Sequence, residues 1–523
     1  MDDKSLTTML ESIRADFRAG KETRFTSRLT DVMPSGSGAD YHYKNEYQYF
    51  KSIERSRHYE RNDSVVGQGL RRLVANVVQD GFSCDFSTGD SGVDNEWKAR
   101  WKEWSEDADQ CDSEGEKTFA QQEQMGLLSV LRDGDILSLP RHDGALQWVE
   151  NHRLRTPFQA KRNIVHGVEM ADGGKRARYW VTNEDLSLLS AAAIGTKFTP
   201  IEARDSQGNR NALHLYLPTR FSQRRGVTVL APCTDMVGMH DDLQFTTLVK
   251  QQMAALIAIL RTRTADWEPG GDVRYGERVN DTSTSGYVRP IEGIEAGLEI
   301  ASDKGETITA FSSNIPSSEF FQHASLILTF IGINLDLPLC VLLLDPTKTN
   351  FSGWRGAIDQ ARMRFRQLQS WYAGAFHNPT TKWQIRRWIN SDSRLKSLFE
   401  RRQRLDPFAF TWHPPGFPYV DPTADIACDV MQSRTATNSM RRIQAARGRD
   451  WDEVSTEIVE DNAKAIRKAL QATDELNAEF AGANITWREV LNLPTPEGVQ
   501  IALSPVPQST PEPVKQGGND VAA

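Results

Sequence analysis

Two helix-length apolar stretches enclose a long polar segment near the middle of the chain, and this arrangement constrains the fold more than any other feature. Apolar residues recur at helical spacing over residues 243–260 and again over residues 317–331. The fifty residues between them, 265–314, are rich in Gly, Thr, Ser and charge, and they contain short β-like pieces at 287–291 and 307–311. The sequence therefore predicts a small projecting module inserted between two helices.

A third long helix, predicted over residues 354–376, lies in the most basic part of the chain. Residues 348–404 contain 13 Lys or Arg against 3 Asp or Glu, whereas the whole chain has a net charge of −8. The overall acidity excludes a coat protein that covers nucleic acid through a broad basic excess. The basic run itself fits a solvated face, a contact with phosphate, or a contact with acidic residues of a neighbouring chain.

Apolar runs and cysteines exclude further classes of protein. The longest apolar runs, such as 327–333 and 339–344, are far shorter than the roughly 18 residues that a membrane span needs. The first residues, Met1-Asp2-Asp3-Lys4, are not typical of a secretory signal. The five cysteines are scattered without a Cys-x-x-Cys pair, which favours reduced thiols of a cytoplasmic protein over disulfides or a zinc site.

The first half of the chain predicts helices followed by a β-meander. Apolar residues over 70–78 predict a buried helix that ends at Asp80-Gly81, and Trp97, Trp101 and Trp104 share one face of another helix as a packing stripe. Strands are predicted at 136–139, 146–149, 164–170, 178–182 and 212–217, the first two joined by a turn at Asp143-Gly144. Helices followed by strands favour an α+β fold that is mainly helical.

The last part of the chain is predicted to be helical. A Pro-rich and aromatic connector, 407–422, precedes a helical block at 423–491, in which Arg434-Thr435-Ala436-Thr437 is expected to begin a helix. Gly448-Arg449-Asp450 separates this helix from the next.

Patterns for cofactor chemistry are absent from the sequence. There is no G-x-x-x-x-G-K-[ST] loop for phosphates, and Gly67-Gln68-Gly69 lacks the third glycine of a dinucleotide fingerprint. There is no His-Glu-x-x-His, and the ten histidines form no spaced ligand set, so neither a metal nor a cofactor is expected.

Three carboxylate arrangements invite comparison with acid/base or metal chemistry. Asp133 with Asp135 is better explained as a turn, and Asp241 with Asp242 as a helix N-terminus. Asp345 with Lys348 weakly resembles a nuclease arrangement, but a second acidic ligand at suitable spacing is missing.

The residues around Asp345 also resemble a known family. Leu343-Leu344-Asp345-Pro346-Thr347-Lys348-Thr349-Asn350-Phe351-Ser352-Gly353-Trp354-Arg355 is similar to the Thr-Asn-Tyr-Ser-Ser-x-Arg signature of lambda-type phage portal proteins. The departures are Phe351 for Tyr, Gly353 for Ser, and Pro232-Cys233 for a longer apolar helix start. Other blocks resemble the family in the same order, over roughly residues 45–465: Asp80-Gly81, Trp101-x-x-Trp104, Arg132-Asp133-Gly134-Asp135, Val149-Glu150-Asn151-His152-Arg153-Leu154, Arg225-Gly226-Val227, Leu230-Ala231-Pro232, Trp412-x-x-Pro415 and Val420-Asp421-Pro422.

The resemblance implies a ring of subunits, most often twelve, with a defined order of parts along each chain. A flexible arm and a disordered Pro-rich tail flank the folded parts. The segments implied are the arm (1–40), an α+β wing (41–239), a first stem helix (240–261), a clip (262–316), a second stem helix with its connection (317–343), a tunnel loop (344–353), a tunnel helix with a returning wing segment (354–422), a helical crown (423–491) and the tail (492–523).

The resemblance also implies a function and contact residues. Such a ring is the channel for double-stranded DNA at one capsid vertex, present in the virion and assembled in the host cytoplasm. Its partners are the terminase large subunit, the major capsid protein and scaffold, and head–tail connector or adaptor proteins. The tunnel loop would place Thr347, Lys348, Thr349 and Asn350 in the channel, subunit or DNA contacts would involve Arg355, Arg362 and Arg366, and the terminase would dock on Arg261, Arg263, Arg274, Arg278 and Arg289.

Two other classes of function remain open at this stage. A metal-dependent DNA-processing hydrolase would use Asp345 and Lys348, and a structural adaptor would oligomerise without forming a channel. Because the chain has no phosphate loop, the resemblance implies that the ATPase that drives DNA packaging is a separate protein, the terminase.

Overall fold

The computed structural model describes residues 46–158, 160, 163–183, 196–221, 223–256, 259–263, 306–310, 318–345, 347, 349–402, 404–417, 422–480 and 484–491. Helices account for most of these residues and small antiparallel sheets for the rest, which confirms the mainly helical α+β prediction. The chain divides into a first unit that ends at Pro422 and a second that begins at Thr423. The expected arm at 1–40 and tail at 492–523 lie outside the described residues.

The first unit contains eleven α-helices within the described residues. They are α1 (Glu46–Asn62), α2 (Ser64–Val78), α3 (Ser91–Glu106), α4 (Ala108–Cys111), α5 (Phe119–Asp133), α6 (Thr234–Leu256), α7 (Ser318–Asn334), α8 (Leu339–Leu343), α9 (Phe351–Tyr372), α10 (Asn378–Ser391) and α11 (Ser393–Arg401).

Its strands form four small antiparallel sheets. The strands are β1 (Ser83–Phe86), β2 (Asp135–Pro140), β3 (Leu146–Glu150), β4 (Ile164–Val165), β5 (Val168–Met170), β6 (Arg176–Thr182), β7 (Phe198–Glu202), β8 (Leu213–Tyr216), β9 (Ile259–Arg263), β10 (Glu306–Ala310) and β11 (Phe410–His413). Their orders are β1-β11, β3-β2-β8, β4-β5-β6-β7 and β10-β9.

The predicted helix at 70–78 forms the end of α2. The Asp63 carboxylate caps it by accepting hydrogen bonds from the backbone N–H groups of Val65 and Val66 at 2.9 and 2.8 Å. The apolar side chains of the predicted stripe are buried, and Gly81 follows with φ of 108°. Capping and burial of one apolar face therefore define this helix as the sequence indicated.

The tryptophan stripe of α3 packs into the main core, as predicted. Trp97, Trp101 and Trp104 are all buried. The Trp97 ring stacks on Trp388 of α10 at 5.6 Å, and the Trp101 ring meets Trp412 of β11 edge-on at 5.4 Å. These contacts join α3 to segments almost 300 residues later in the chain.

The strands predicted at 136–139, 146–149, 164–170, 178–182, 212–217 and 307–311 are confirmed, and the piece predicted at 287–291 lies outside the described residues. The strands β1, β7 and β11 were not predicted. β2 and β3 form the expected hairpin, in which Ile136 lies opposite Glu150, and Gly144 in its turn has φ of 104°. The segment predicted at 164–170 is divided into β4 and β5 by a turn at His166-Gly167. The connector at 407–422 contains β11, which pairs with β1, a partner too distant in sequence for local patterns to reveal.

The helix predicted over 243–260 has different bounds. It is α6, Thr234–Leu256, and the expected first stem segment 240–261 therefore begins inside a helix and ends inside β9. Polar residues at 240–242 interrupt the apolar stripe and concealed the first turns. Pairing with β10 places residues 259–261 in a strand instead.

The third long helix continues further than predicted. Asn350 caps α9 by accepting a hydrogen bond from the Gly353 N–H at 2.7 Å. After Tyr372 the chain passes through a π-helical turn, Ala373–His377, directly into α10. Residues 351–391 therefore form one interrupted helical rod with a local change of register.

The second unit is helical, as predicted. Its helices are α12 (Pro422–Arg434), α13 (Met440–Ala445), α14 (Trp451–Glu479) and α15 (Trp487–Leu491). The expectation that Arg434-Thr435-Ala436-Thr437 begins a helix was wrong, because α12 ends at Arg434 and Ala436 has a left-handed φ of 55°. Asp450 caps α14 after Gly448, which confirms the predicted separation.

Candidate functional surfaces

Helices α6 and α7 pack against each other and are buried only near one end. Val237 and His240 of α6 are buried, whereas none of the described side chains at 241–252 is. Asp241 and Asp242 thus lie well inside α6 and not at a helix N-terminus, which corrects the expectation. The Asn334 amide, at the end of α7, donates to the Val229 carbonyl at 2.6 Å and fixes the base of the pair.

The remainder of this helix pair exposes large apolar side chains. Phe245 is 69% exposed and Ile333 is 65% exposed. The residues that share this property on the two helices are Phe245, Leu248, Phe321, Leu326, Phe330 and Ile333. We call this set the helix-pair patch. Exposure of so many large apolar groups on two packed helices is typical of a protein-contact surface.

A two-stranded ribbon follows the free end of the helix pair. β9 and β10 pair antiparallel, with Arg261 opposite Ile308 and Arg263 opposite Glu306. Arg274, Arg278 and Arg289, which were expected to dock the terminase with Arg261 and Arg263, lie outside the described residues.

The segment between α8 and α9 is shaped by its own polar side chains. Leu344 has a left-handed φ of 54°, and the Asp345 carboxylate accepts hydrogen bonds from the Thr347 N–H at 3.0 Å and the Thr347 hydroxyl at 2.5 Å. Thr347, Thr349 and Asn350 are exposed, and Lys348 lies outside the described residues. The Asp345 carboxylate thus organises a turn, a role that differs from that of a hydrolase ligand.

The arginines of α9 have contacts within the same unit. The Arg362 guanidinium lies 3.5 Å from Asp359 and 5.4 Å from the Phe417 ring centre, and Arg366 lies 5.8 Å from the same ring. Arg355 is half-buried.

Later members of the basic run are also neutralised within the unit. Arg394 pairs with Glu96 at 2.5 Å, and Arg402 pairs with Asp90 at 2.8 Å. Acidic residues of the same chain therefore neutralise part of the basic run. The sequence alone had suggested that this run faces solvent, phosphate or acidic residues of a neighbouring chain.

A buried polar network centred on Asp135 joins three of the quoted sequence blocks. Arg225 donates to both carboxylate oxygens of Asp135, from Nε at 2.6 Å and from Nη2 at 3.0 Å. The Asn151 amide and the Gly226 N–H donate to the same carboxylate at 2.5 and 2.8 Å. The Arg225 charge lowers the pKa of Asp135, against the effect of burial.

The neighbouring Asp133 has a separate set of partners. Arg57 donates to it from Nε at 2.9 Å and from Nη2 at 2.6 Å, and Arg132 donates from Nε at 2.9 Å. Both Asp133 and Asp135 are 1% exposed. Sequence reasoning expected a turn here, and the apolar residues around this pair were the available signal that it is buried.

Three described residues could offer ligands to a metal ion. The carboxylates of Asp63 and Asp241 and the imidazole of His240 place one ligand atom each within 4.8 Å of one another. Burial raises the pKa of Asp241, and the Asp63 carboxylate, which raises it further, also caps α2. Sequence spacing missed this group because Asp63 is remote in the chain, and Asp345 does not belong to it.

Within the described part of the chain, no helix combines the length and the apolar character that crossing a bilayer requires.

Comparisons with known proteins identify the family. Residues 26–369 match the model of the family described as "Phage portal protein, lambda family". The probable portal protein of Halomonas phage phiHAP-1 is 24% identical over 502 residues, which cover 88% of this chain and 90% of the relative.

Solved structures with a similar chain come from gene transfer agent (GTA) particles. In the neck of the native GTA particle, the match has a TM-score of 0.45 and 10% identity and covers 75% of this chain and 91% of the other. In the virion of the native particle, it has a TM-score of 0.41 and 11% identity and covers 81% and 98%. On the strength of the family match, the chain belongs to the lambda family of phage portal proteins.

Proposed function

We propose that the protein forms a closed ring at one vertex of a phage capsid, with twelve as the expected number of subunits. Double-stranded DNA would enter through this ring during packaging and leave through it during ejection. Membership of the portal family and the order of segments along the chain support this proposal. The protein would assemble in the host cytoplasm with the major capsid protein and scaffold, and remain in the virion.

The helix-pair patch is the observation that carries the ring proposal. Six large apolar side chains on α6 and α7 are about half exposed or more in the single chain. Burial against a neighbour would contribute on the order of 1 kcal/mol for each side chain. A ring interface is heterologous, so the patch would meet a different face of the next subunit, and repetition closes the ring.

The segment after α8 is proposed as the tunnel loop. Its exposed Thr347, Thr349 and Asn350 are uncharged, and Lys348 would add one cation per subunit. Many fixed cations would hold DNA phosphates and release counterions, which favours tight binding over sliding. Sparse charge on this loop therefore fits a conduit through which DNA moves.

We also propose which elements form the wing, stem, crown and clip. The first sheets and helices would form the wing, α6 and α7 the stem, and the second unit the crown. The β9-β10 ribbon would belong to the clip, where Arg261, Arg263, Arg274, Arg278 and Arg289 would receive the terminase large subunit and later the head–tail connector proteins.

Imaging and mass determination of the purified full-length protein test the ring. We expect closed particles with a central hole in electron micrographs and a single high mass in native mass spectrometry. Phe330→Asp should reduce the ring population strongly, because it places a carboxylate within the helix-pair patch. Met125→Asp is the matched control, since Met125 is similarly exposed on α5, away from the patch.

Two results would count against the proposal. If Phe330→Asp and Met125→Asp form rings equally well, the patch is not the subunit contact. If wild-type protein stays monomeric with capsid and scaffold proteins present, the ring proposal fails. Oligomers without a central hole would favour the adaptor alternative.

We propose no catalytic role for the chain, and the motor ATPase would be the terminase. The hydrolase alternative requires metal-dependent DNA cleavage that Asp345→Ala abolishes. We expect no ATP turnover and no cleavage from the purified wild-type protein, measured by phosphate release and by gel analysis of plasmid DNA.

A further inference from the structure

A cavity of about 690 Å³ lies between β8 and the β4-β5-β6-β7 sheet. Met170 of β5, Tyr179 of β6, and His214 and Tyr216 of β8 contribute to its wall. A volume of this size is typical of pockets that enclose a small molecule. The cavity has no part in the ring, stem or tunnel loop proposed above.

The described residues that line the cavity include five cations and no carboxylate. These cations are Lys175, Arg176, Arg204, Arg210 and Arg224. The chain as a whole has more acids than bases, so this concentration of positive charge is a local property. Unbalanced positive charge in a concave site attracts small anions.

Two buried guanidinium donors in the wall lack a partner. Arg176 Nε and Arg224 Nη1 have no hydrogen-bond partner among the described residues. Buried polar atoms of this kind are usually satisfied, because leaving one unpaired costs about 1–3 kcal/mol. Their concentration around one cavity indicates a missing polar partner.

The wall is held in place before any ligand binds. Arg176 Nη2 donates to the backbone carbonyls of Gln223 and Arg224 at 3.4 and 3.1 Å, and its guanidinium lies 4.7 Å from the Tyr216 ring centre. These contacts fix the guanidinium plane beside the cavity. A positioned guanidinium suits phosphate oxygens, which it can contact at two points.

We infer that this cavity is a binding site for a small phosphate-bearing anion of the nucleotide or polyphosphate class. Several cations favour a ligand with more than one negative charge over a single carboxylate. A concave pocket suits a compact ligand better than a DNA duplex, whose phosphates lie on a convex surface.

Calorimetric titration of the full-length protein with ATP, inorganic tripolyphosphate and a short DNA duplex tests this inference. Both small phosphates should bind, and Arg210→Glu and Arg224→Gln should each weaken binding by about tenfold or more. Arg178→Gln is the matched control, because Arg178 lies on β6 but does not line the cavity, and its affinity should stay near the wild-type value.

The outcomes distinguish recognition of phosphate groups alone from recognition of a nucleotide. Equal affinities for ATP and tripolyphosphate would support recognition through phosphate alone, and tighter binding of ATP would support a nucleotide. The inference is overturned by no heat of binding at millimolar ligand, by equal affinity in wild type and both cavity variants, or by binding of the duplex only. Ring formation by the same samples is scored separately, so the two proposals can fail independently.

Discussion

Arg225 and Asp135 form a two-point ion pair in the interior of the first unit, with N···O distances of 2.6 and 3.0 Å. The two residues are 90 positions apart, and both side chains are at most 3% exposed. The pair connects the start of β2 to the segment that leads into α6. It therefore joins the sheets of the first unit to the base of the helix pair.

Loss of one partner of this pair should destabilise the protein strongly. Arg225→Met leaves the Asp135 carboxylate buried without its main counter-charge, so we expect the free energy of unfolding to fall by about 3–5 kcal/mol. Urea denaturation followed by circular dichroism measures this. Glu202→Gln, which removes the exposed partner of Arg178, should change little. Equal effects of the two changes would contradict the prediction.

His214 should make stability depend on pH in mildly acidic solution. Burial lowers the pKa of His214 to about 4, below the ordinary value of 6.5. The folded state therefore disfavours the imidazolium, and the contribution is present above pH 6.5 and is lost as pH falls towards 4. Between pH 7 and pH 5 we expect a loss of about 2 kcal/mol from this group.

His214→Gln should remove that part of the pH dependence. Urea denaturation of wild type and variant at the two pH values gives the comparison, and groups remote from His214 cancel in the difference. A variant with the same pH dependence as wild type would show that His214 titrates normally.

Gly226 should not tolerate even a methyl group. A Cβ atom at Gly226 would overlap the Gly134 carbonyl oxygen, and Gly134 has φ of 95°. Because two backbone segments would have to separate, Gly226→Ala should cost about 3 kcal/mol or more. Gly356→Ala on α9 is the control, since nothing lies within 4 Å of its Cβ position, and it should stabilise by up to about 1 kcal/mol. Thermal denaturation distinguishes the two.

The start of α9 should depend on Asn350. Asn350→Ala removes the hydrogen bond from the Gly353 N–H and should cost about 1 kcal/mol. Faster amide hydrogen exchange at residues 351–354, with unchanged exchange in α10, is the expected local signature. Unchanged protection of the first turn would show that the cap contributes nothing.

Local periodicity predicted the helices and strands that bury one continuous face. The face of α2 and the tryptophan stripe of α3 are examples, because the apolar spacing alone shows which side is buried. The predicted bounds of α6 were wrong, since polar residues at 240–242 interrupt the apolar pattern while the backbone continues as a helix.

Long-range relations were not predictable from one sequence. The pairing of β1 with β11, and the convergence of Asp135, Asn151 and Arg225, depend on segments that only the folded chain brings together. The exposed positions of Thr347, Thr349 and Asn350 agree with a loop, and their contact with DNA stays a prediction.

The π-helical turn at Ala373–His377 sets the rotational phase of α10 relative to α9. One residue advances an α-helix by about 100°, so a rod without the extra residue would turn α10 by that angle relative to α9. Ile385 and Trp388, now buried, would then leave the core, and Trp388 would lose its stacking on Trp97. The π-helical turn therefore rotates the apolar face of α10 into line with that of α9. Both faces then pack into one hydrophobic interior.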